Sequence, residues 1–136
     1  MKDRIVTVAE SGNGPFGQFI TTGHHVLGAD EMEFLGGRDT GPDPYELLLG
    51  ALGACTAMSL RLYADRHKWP LEHVEVTLRH ARPAAHQSGV KDSFERKIEL
   101  EGALTEEQKL KLVEIVGRCP VSRTLEHGAE IVTALG

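Results

Sequence analysis

Two side chains in this 136-residue sequence become strong nucleophiles on losing a proton: Cys55 and Cys119, its only cysteines. Cys55 stands in "LLLGALGACTAMSL", one of the most apolar stretches, and Cys119 directly precedes Pro120 in "GRCPVSR". The thiolate is the reactive form, and its oxidation gives a sulfenic acid that a second thiol converts to a disulfide. If a short helix begins at Pro120, Cys119 is its N-cap. Unpaired backbone N–H groups and the positive end of the helix dipole favour thiolate there, and Arg118 and Arg123 add positive charge nearby. Against this stands a packing role, since free cysteine is among the most buried residue types and Cys55 lies among Leu and Ala. Two cysteines are too few for a disulfide scaffold, and in a reducing compartment a bridge is more often transient and catalytic than structural.

The elements that must place the thiols can be read from patterning. Asp43 suits an N-cap, Pro44 the first helical position and Glu46 the third position of a capping box, so a helix starts there and ends near Lys68, before Trp69 and Pro70. Its apolar stripe reads Leu48, Leu52, Cys55, Ser59 and Leu62, widened by Leu47, Ala51, Ala54 and Met58. Glycines at 50 and 53 cost about 1 kcal/mol each relative to alanine in a helix interior, which predicts a packing or functional reason for them. Upstream, "RIVTVAE", "GQFITT" and "HHVLGAD" read as an antiparallel N-terminal sheet, and "EFLGGRDTGPDP" as loop. Residues 74–82 and 93–102 alternate cleanly and predict a hairpin with a long connection. Thr105 and Gln108 open a second helix that Gly117 should close, a short helix follows from Pro120, and "AEIVTALG" reads as a last strand.

Length fits one domain over residues 1–136. A formal charge of −5 argues against the basic face that nucleic-acid binding needs. The N-terminus lacks the apolar core of a secretory signal. The run from Tyr45 to Leu62 is interrupted by Glu46 and Arg61 and falls short of the roughly 20 residues that span a bilayer. The expectation is a cytoplasmic protein with no membrane partner. Seven histidines, at 24, 25, 67, 73, 80, 86 and 127, show no paired ligand spacing, and neither cysteine belongs to a C-x-x-C pair, so no metal is expected. "SGNGPFG" matches neither nucleotide motif and reads as a hairpin turn; no cofactor is expected.

The segments "PDPYELLLGALGACTAMSLRLYA" and "RCPVSRTL", with "TGHHVLGAD" and "GGRDTGP", resemble the OsmC/Ohr family of bacterial thiol-dependent peroxidases and their relatives, closer in motif detail to the OsmC-like branch. The resemblance covers essentially the whole chain and its order of elements. It implies an α/β (α+β) fold stable as an intertwined homodimer, with two long central helices, one per subunit, flanked by antiparallel sheets to which both chains contribute. It also implies that Cys55 attacks an organic hydroperoxide and becomes a sulfenic acid. Cys119 then closes a disulfide, which an external dithiol, typically a lipoylated protein, reduces. The alternative function is a binding or redox-sensing module with an apolar interface pocket and little peroxidase activity.

Two family features do not carry over. In the peroxidases, a glutamate ten residues before the first cysteine and an arginine of the N-terminal strand region hold each other and polarise the thiolate. Here that position is Tyr45, and Glu46 lies about 180° around the helix from Cys55 at roughly 100° per residue. "SGNGPFG" holds no arginine; Arg38 in "GGRD" is the nearest candidate, with a solvated loop position as its competing reading. Tyr45 could donate a hydrogen bond to a peroxide or thiolate, Glu46 serves equally well as the partner of Asp43, and His25 could line the pocket or tune a thiol.

Overall fold

The computed structural model describes residues 3–81 and 89–136. It divides into two compact units, Met1–Leu48 and Leu49–Gly136. The fold is mixed α+β, with two small antiparallel sheets and three helices.

In the first unit, β1 (Thr7–Glu10), β2 (Gln18–Thr22) and β3 (His25–Ala29) form a meander in the order β1-β2-β3. Thr22 pairs with His25 across a two-residue turn, and Gly23 takes its first position at φ 57°. A type II′ hairpin turn needs that left-handed value, and glycine adopts it without steric cost. The chain then loops from Asp30 to Asp43 around one buried carboxylate. Asp30 accepts hydrogen bonds from the backbone N–H of Glu31 (2.7 Å), Arg38 (3.3 Å) and Thr40 (3.1 Å) and from the Thr40 hydroxyl (2.6 Å).

Those bonds, the Thr40 hydroxyl foremost, hold the Asp30 carboxyl below the ordinary carboxylate value of 3.8. A depressed native pKa stabilises the fold fully above the unfolded pKa, and that contribution disappears as pH falls through the lowered native value. Asp30→Asn is therefore expected to melt at lower temperature than wild type at pH 7, with the gap narrowing below pH about 4. Equal gaps at pH 7 and pH 3 in thermal melts would contradict this.

Helix α1 (Pro44–Arg66) begins in the first unit and runs through the second. Its start is the expected capping box: Asp43 Oδ1 accepts from the Glu46 N–H at 2.8 Å, and Glu46 Oε1 accepts from the Asp43 N–H at 2.9 Å. Its end is a Schellman-type closure, with the Trp69 N–H on the Ala64 carbonyl (2.9 Å) and the Lys68 N–H on that of Asp65 (3.1 Å). Lys68 adopts the left-handed conformation at φ 56°, and the Trp69 ring packs edge-on against Tyr63.

The buried side of α1 is Leu52, Gly53, Thr56, Leu60 and Ala64, a stripe rotated from the predicted one. Ala51, Ala54, Met58 and Leu62 are exposed in the single chain. The apolar run that the sequence reading found too short and too interrupted to span a bilayer lies within a longer helix, and the core helix of a soluble protein can match a membrane span in length and composition. The helix forms over 23 residues because Glu46 and Arg61 do not interrupt it, and by length and composition alone it could cross a membrane. It buries Leu60 and Ala64 completely against protein.

In the second unit, β4 (His73–Ala81) and β5 (Ser93–Glu101) pair from His73↔Glu101 to Ala81↔Ser93. Arg82, the predicted end of the first of these strands, and much of the predicted connection, His86 included, fall on residues 82–88, outside the described residues. Val74, Val76, Leu78 and His80 face the same way as Phe94, Arg96, Ile98 and Leu100, all half-buried. Gly53 has the reason its position demanded: a Cβ there would lie 2.6 Å from Leu78 Cδ1, so the missing side chain lets α1 close on β4.

Helix α2 (Glu106–Ile115) starts at the reciprocal Thr105–Gln108 capping box and continues through Gly117 as a 3₁₀ turn, Val116–Arg118. Helix α3 (Pro120–His127) follows at once. Leu60, Ala64, Leu71, Leu104, Leu112, Ile115 and Val116 form the core. Burial of Leu60 and of Leu112 contributes about 1.5–3 kcal/mol each.

The last strand is absent: residues 129–136 are irregular. A strand needs a neighbour to hydrogen-bond, and none of the described strands pairs with this segment. Its alternating apolar residues stay in solvent, Ile131 being 88% exposed.

Candidate active site

Three elements of the second unit meet around the sulfurs: α1 carries Cys55 and Thr56, β5 carries Arg96, and the 3₁₀ turn with α3 carries Val116, Cys119 and Ser122. Cys119 is the N-cap of α3, with Pro120 at the first helical position as the sequence pattern required. Its φ −55° and ψ 125° are the extended values that a following proline enforces. It is 1% exposed, whereas Cys55 is half-buried. Neither is disulfide-bonded.

Folding brings the two thiols close enough for each to shift the other's acidity, and their environments push them in opposite directions. Burial raises the Cys55 pKa, and the bond to Cys119 raises it further because Cys55 is the donor. Burial would raise Cys119 too, but it is outweighed, so this thiol is lowered. The Cys55 thiol, the N–H groups of Ser122 and Val121, and the Thr56 hydroxyl are the donors around it, and all favour its thiolate. The neutral Cys119 thiol makes no capping hydrogen bond; a thiolate is the far better acceptor for the open N–H groups of the first turn. Of the two, Cys119 is the thiol whose surroundings favour the thiolate, and Cys55 the one whose surroundings favour the protonated form.

This linkage has a reciprocal consequence. In Cys119→Ser, Cys55 loses the sulfur that held its proton, and the pH profile of its alkylation by iodoacetamide is expected to move to lower pH. In Cys55→Ala, Cys119 loses a donor and its profile is expected to move up. Unmoved profiles would show that the thiols titrate independently.

Behind the sulfurs lies a polar layer that the sequence reading missed. The Arg96 guanidinium donates from Nη1 to Thr56 Oγ1 (2.9 Å) and from Nη2 to the Val116 carbonyl (3.3 Å) and Ser122 Oγ (3.1 Å). Thr56 passes its own proton to the Leu52 carbonyl (2.7 Å), and Ser122 donates to Glu126 Oε1 (3.2 Å). Thr56 has one proton, so its hydroxyl serves either Leu52 or Cys119 at a time. The available signal was phase: Arg96 sits in register with Phe94, Ile98 and Leu100 on an alternating strand, where an inward charge demands partners. Arg96 and Ser122 also border a cavity of about 740 Å³ with Leu52, Phe94, Leu125 and Glu126.

The other candidates lie in the first unit. Glu46 is engaged in the Asp43 capping box, and Tyr45, 40% exposed, is its neighbour in the first turn of α1. Arg38 lays its aliphatic stem beside Gly14, and its backbone N–H serves Asp30. His25 is exposed on β3 with its ring 4.2 Å from that of His24. Among the described residues, no three His, Cys, Asp or Glu side chains gather as a metal site would need.

Comparison with known proteins fits this arrangement of elements. An OsmC-like protein from Mycoplasma pneumoniae superposes with a TM-score of 0.78 at 17% identity, over 92% of this chain and 88% of the other. The organic hydroperoxide resistance protein OsmC from Legionella pneumophila gives 0.70 at 24% identity, over 92% and 90%. A putative organic hydroperoxide resistance protein from Vibrio cholerae, with captopril bound in one of its active sites, gives 0.66 at 20% identity, over 92% and 86%. At these identities the likeness speaks for the fold. No curated protein matches the sequence. The sequence profile of the OsmC-like proteins matches residues 37–134, most of the chain and both cysteines, and the chain therefore belongs to the OsmC-like protein family.

Proposed function

We propose that this protein is a thiol-dependent peroxidase that reduces organic hydroperoxides in oxidative-stress defence, acting as a single-domain homodimer in the cytoplasm. The observation that carries the reading is the nearness of two thiols far apart in sequence, each shifting the other's acidity and one of them favouring thiolate. Family membership and the hydroperoxide-resistance relatives support it.

Cys55 is the attacking sulfur because it is the less buried of the two. As the hydroperoxide enters, Cys119 thiolate takes the Cys55 proton. The Cys55 thiolate attacks the outer peroxide oxygen, the O–O bond breaks, and the alkoxide leaves as alcohol with a proton, giving Cys55 sulfenic acid. Cys119, again as thiolate, attacks that sulfur; hydroxide leaves as water and the Cys55–Cys119 disulfide forms. An external dithiol, such as a lipoylated protein, gives up two electrons and two protons to restore both thiols.

The raised Cys55 pKa favours the second reading, a binding or redox-sensing module with little turnover. Stoichiometric cumene hydroperoxide separates them. The peroxidase loses both free thiols rapidly, with a mass decrease of about two hydrogens. Thiol loss no faster than that of free cysteine would leave the module.

The homodimer is supported by what one chain leaves uncovered: Ala51, Ala54, Met58 and Leu62 lie exposed along one face of α1, and a contiguous apolar surface of this kind marks an interaction site.

A further inference from the structure

We propose that Arg96 is the positioning residue of the thiol pair, its forked guanidinium tying Thr56 beside Cys55 to the Val116–Ser122 segment that carries Cys119. Cys55 and Cys119 sit on separate helices, and a disulfide tolerates little error in their approach. Among the described residues, every hydrogen bond of the Arg96 guanidinium goes to a residue flanking one cysteine or the other: Thr56 next to Cys55, and Val116 and Ser122 three residues either side of Cys119. The planar fork fixes angles as well as distances, which a lysine ammonium does not. Glu126 balances the cation through Ser122, so an inward arginine sits on an otherwise apolar strand face without an orphaned charge.

The inference rests on the peroxidase reading for its role in turnover, but its test does not require a peroxide. Reduced protein is equilibrated with oxidised dithiothreitol. The two thiols lose two protons and two electrons and form the S–S bond, while the cyclic disulfide takes both up and opens. Arg96→Gln is expected to lower the equilibrium constant for closing Cys55–Cys119 by about tenfold or more, since the effective concentration of one thiol at the other falls when their frame loosens. Arg96→Lys is expected to fall almost as far, because charge without the fork does not span both segments. Arg79→Gln, which removes an exposed ion pair with Glu95 on the outer face of the same hairpin, should stay within about twofold of wild type.

Thr56→Val and Ser122→Ala each remove one partner and carry the test if the Arg96 variants do not fold. Each should weaken closure, and Arg96→Gln combined with Thr56→Val should fall no further than Arg96→Gln alone. In a Cys119→Ser background, the rate of Cys55 sulfenic acid formation with cumene hydroperoxide should change by less than about twofold on adding Arg96→Gln, which separates positioning from general damage. Closure unchanged in Arg96→Gln, full rescue by lysine, or equal slowing of both steps would each overturn the proposal. Absence of any sulfenic acid in the Cys119→Ser parent would instead count against the peroxidase reading, with the dithiol equilibrium still deciding for or against Arg96.

Discussion

Cys55→Ser protein is expected to leave cumene hydroperoxide unconsumed, its rate falling by on the order of 10³-fold or more, as removal of a covalent nucleophile does. Cys119→Ser should behave differently. It consumes one equivalent of peroxide, stops, and with excess peroxide advances to sulfinic acid, because no second thiol captures the sulfenic acid. The asymmetry matters more than either loss, because it tests which sulfur attacks. Acidity points to Cys119, the thiol favoured as thiolate, and access points to Cys55. Attack requires contact with the peroxide, and Cys119 is 1% exposed, so access decides and acidity is lent through the shared proton. A mass spectrum with the stable oxidised product on Cys119 in a Cys55→Ser background would reverse the assignment. Both variants consuming peroxide like wild type would remove the thiols from the mechanism.

Much of this frame was legible before any coordinates. Asp43, Pro44 and Glu46 announced the start of α1, Thr105 and Gln108 that of α2, and Pro120 that of α3, because capping is local chemistry between residues a few positions apart. The strands were legible for the same reason, alternation being a property of one segment. What escaped depends on neighbours distant in sequence. Arg96 reads as one more charge in "SFERKIELEG" until Thr56, Val116 and Ser122 are seen around it. Asp30 reads as a loop residue until four donors converge on it. The buried stripe of α1 was misjudged by a fraction of a turn because the helix is apolar over most of its circumference, and periodicity alone cannot choose among apolar faces. The C-terminal segment carries a strand's alternation without a strand's partner.

The misjudged stripe and the missing strand have one explanation in the proposed homodimer: the sequence encodes faces for two chains. Met58→Glu tests it. Met58 is 71% exposed in the single chain, so within one subunit a carboxylate there is solvated and costs little. If a second copy covers the open face of α1, the same carboxylate is buried without a partner, at a cost of about 3 kcal/mol or more. That weakens association by more than about a hundredfold. The expected result in sedimentation velocity is a wild-type particle of twice the chain mass and a Met58→Glu variant of the single mass, melting at lower temperature, while Met58→Leu keeps the dimer because it keeps apolar volume. A Met58→Glu protein that still sediments as a dimer would place the interface elsewhere. A wild type that sediments as a monomer would leave the apolar face of α1 to some other cover.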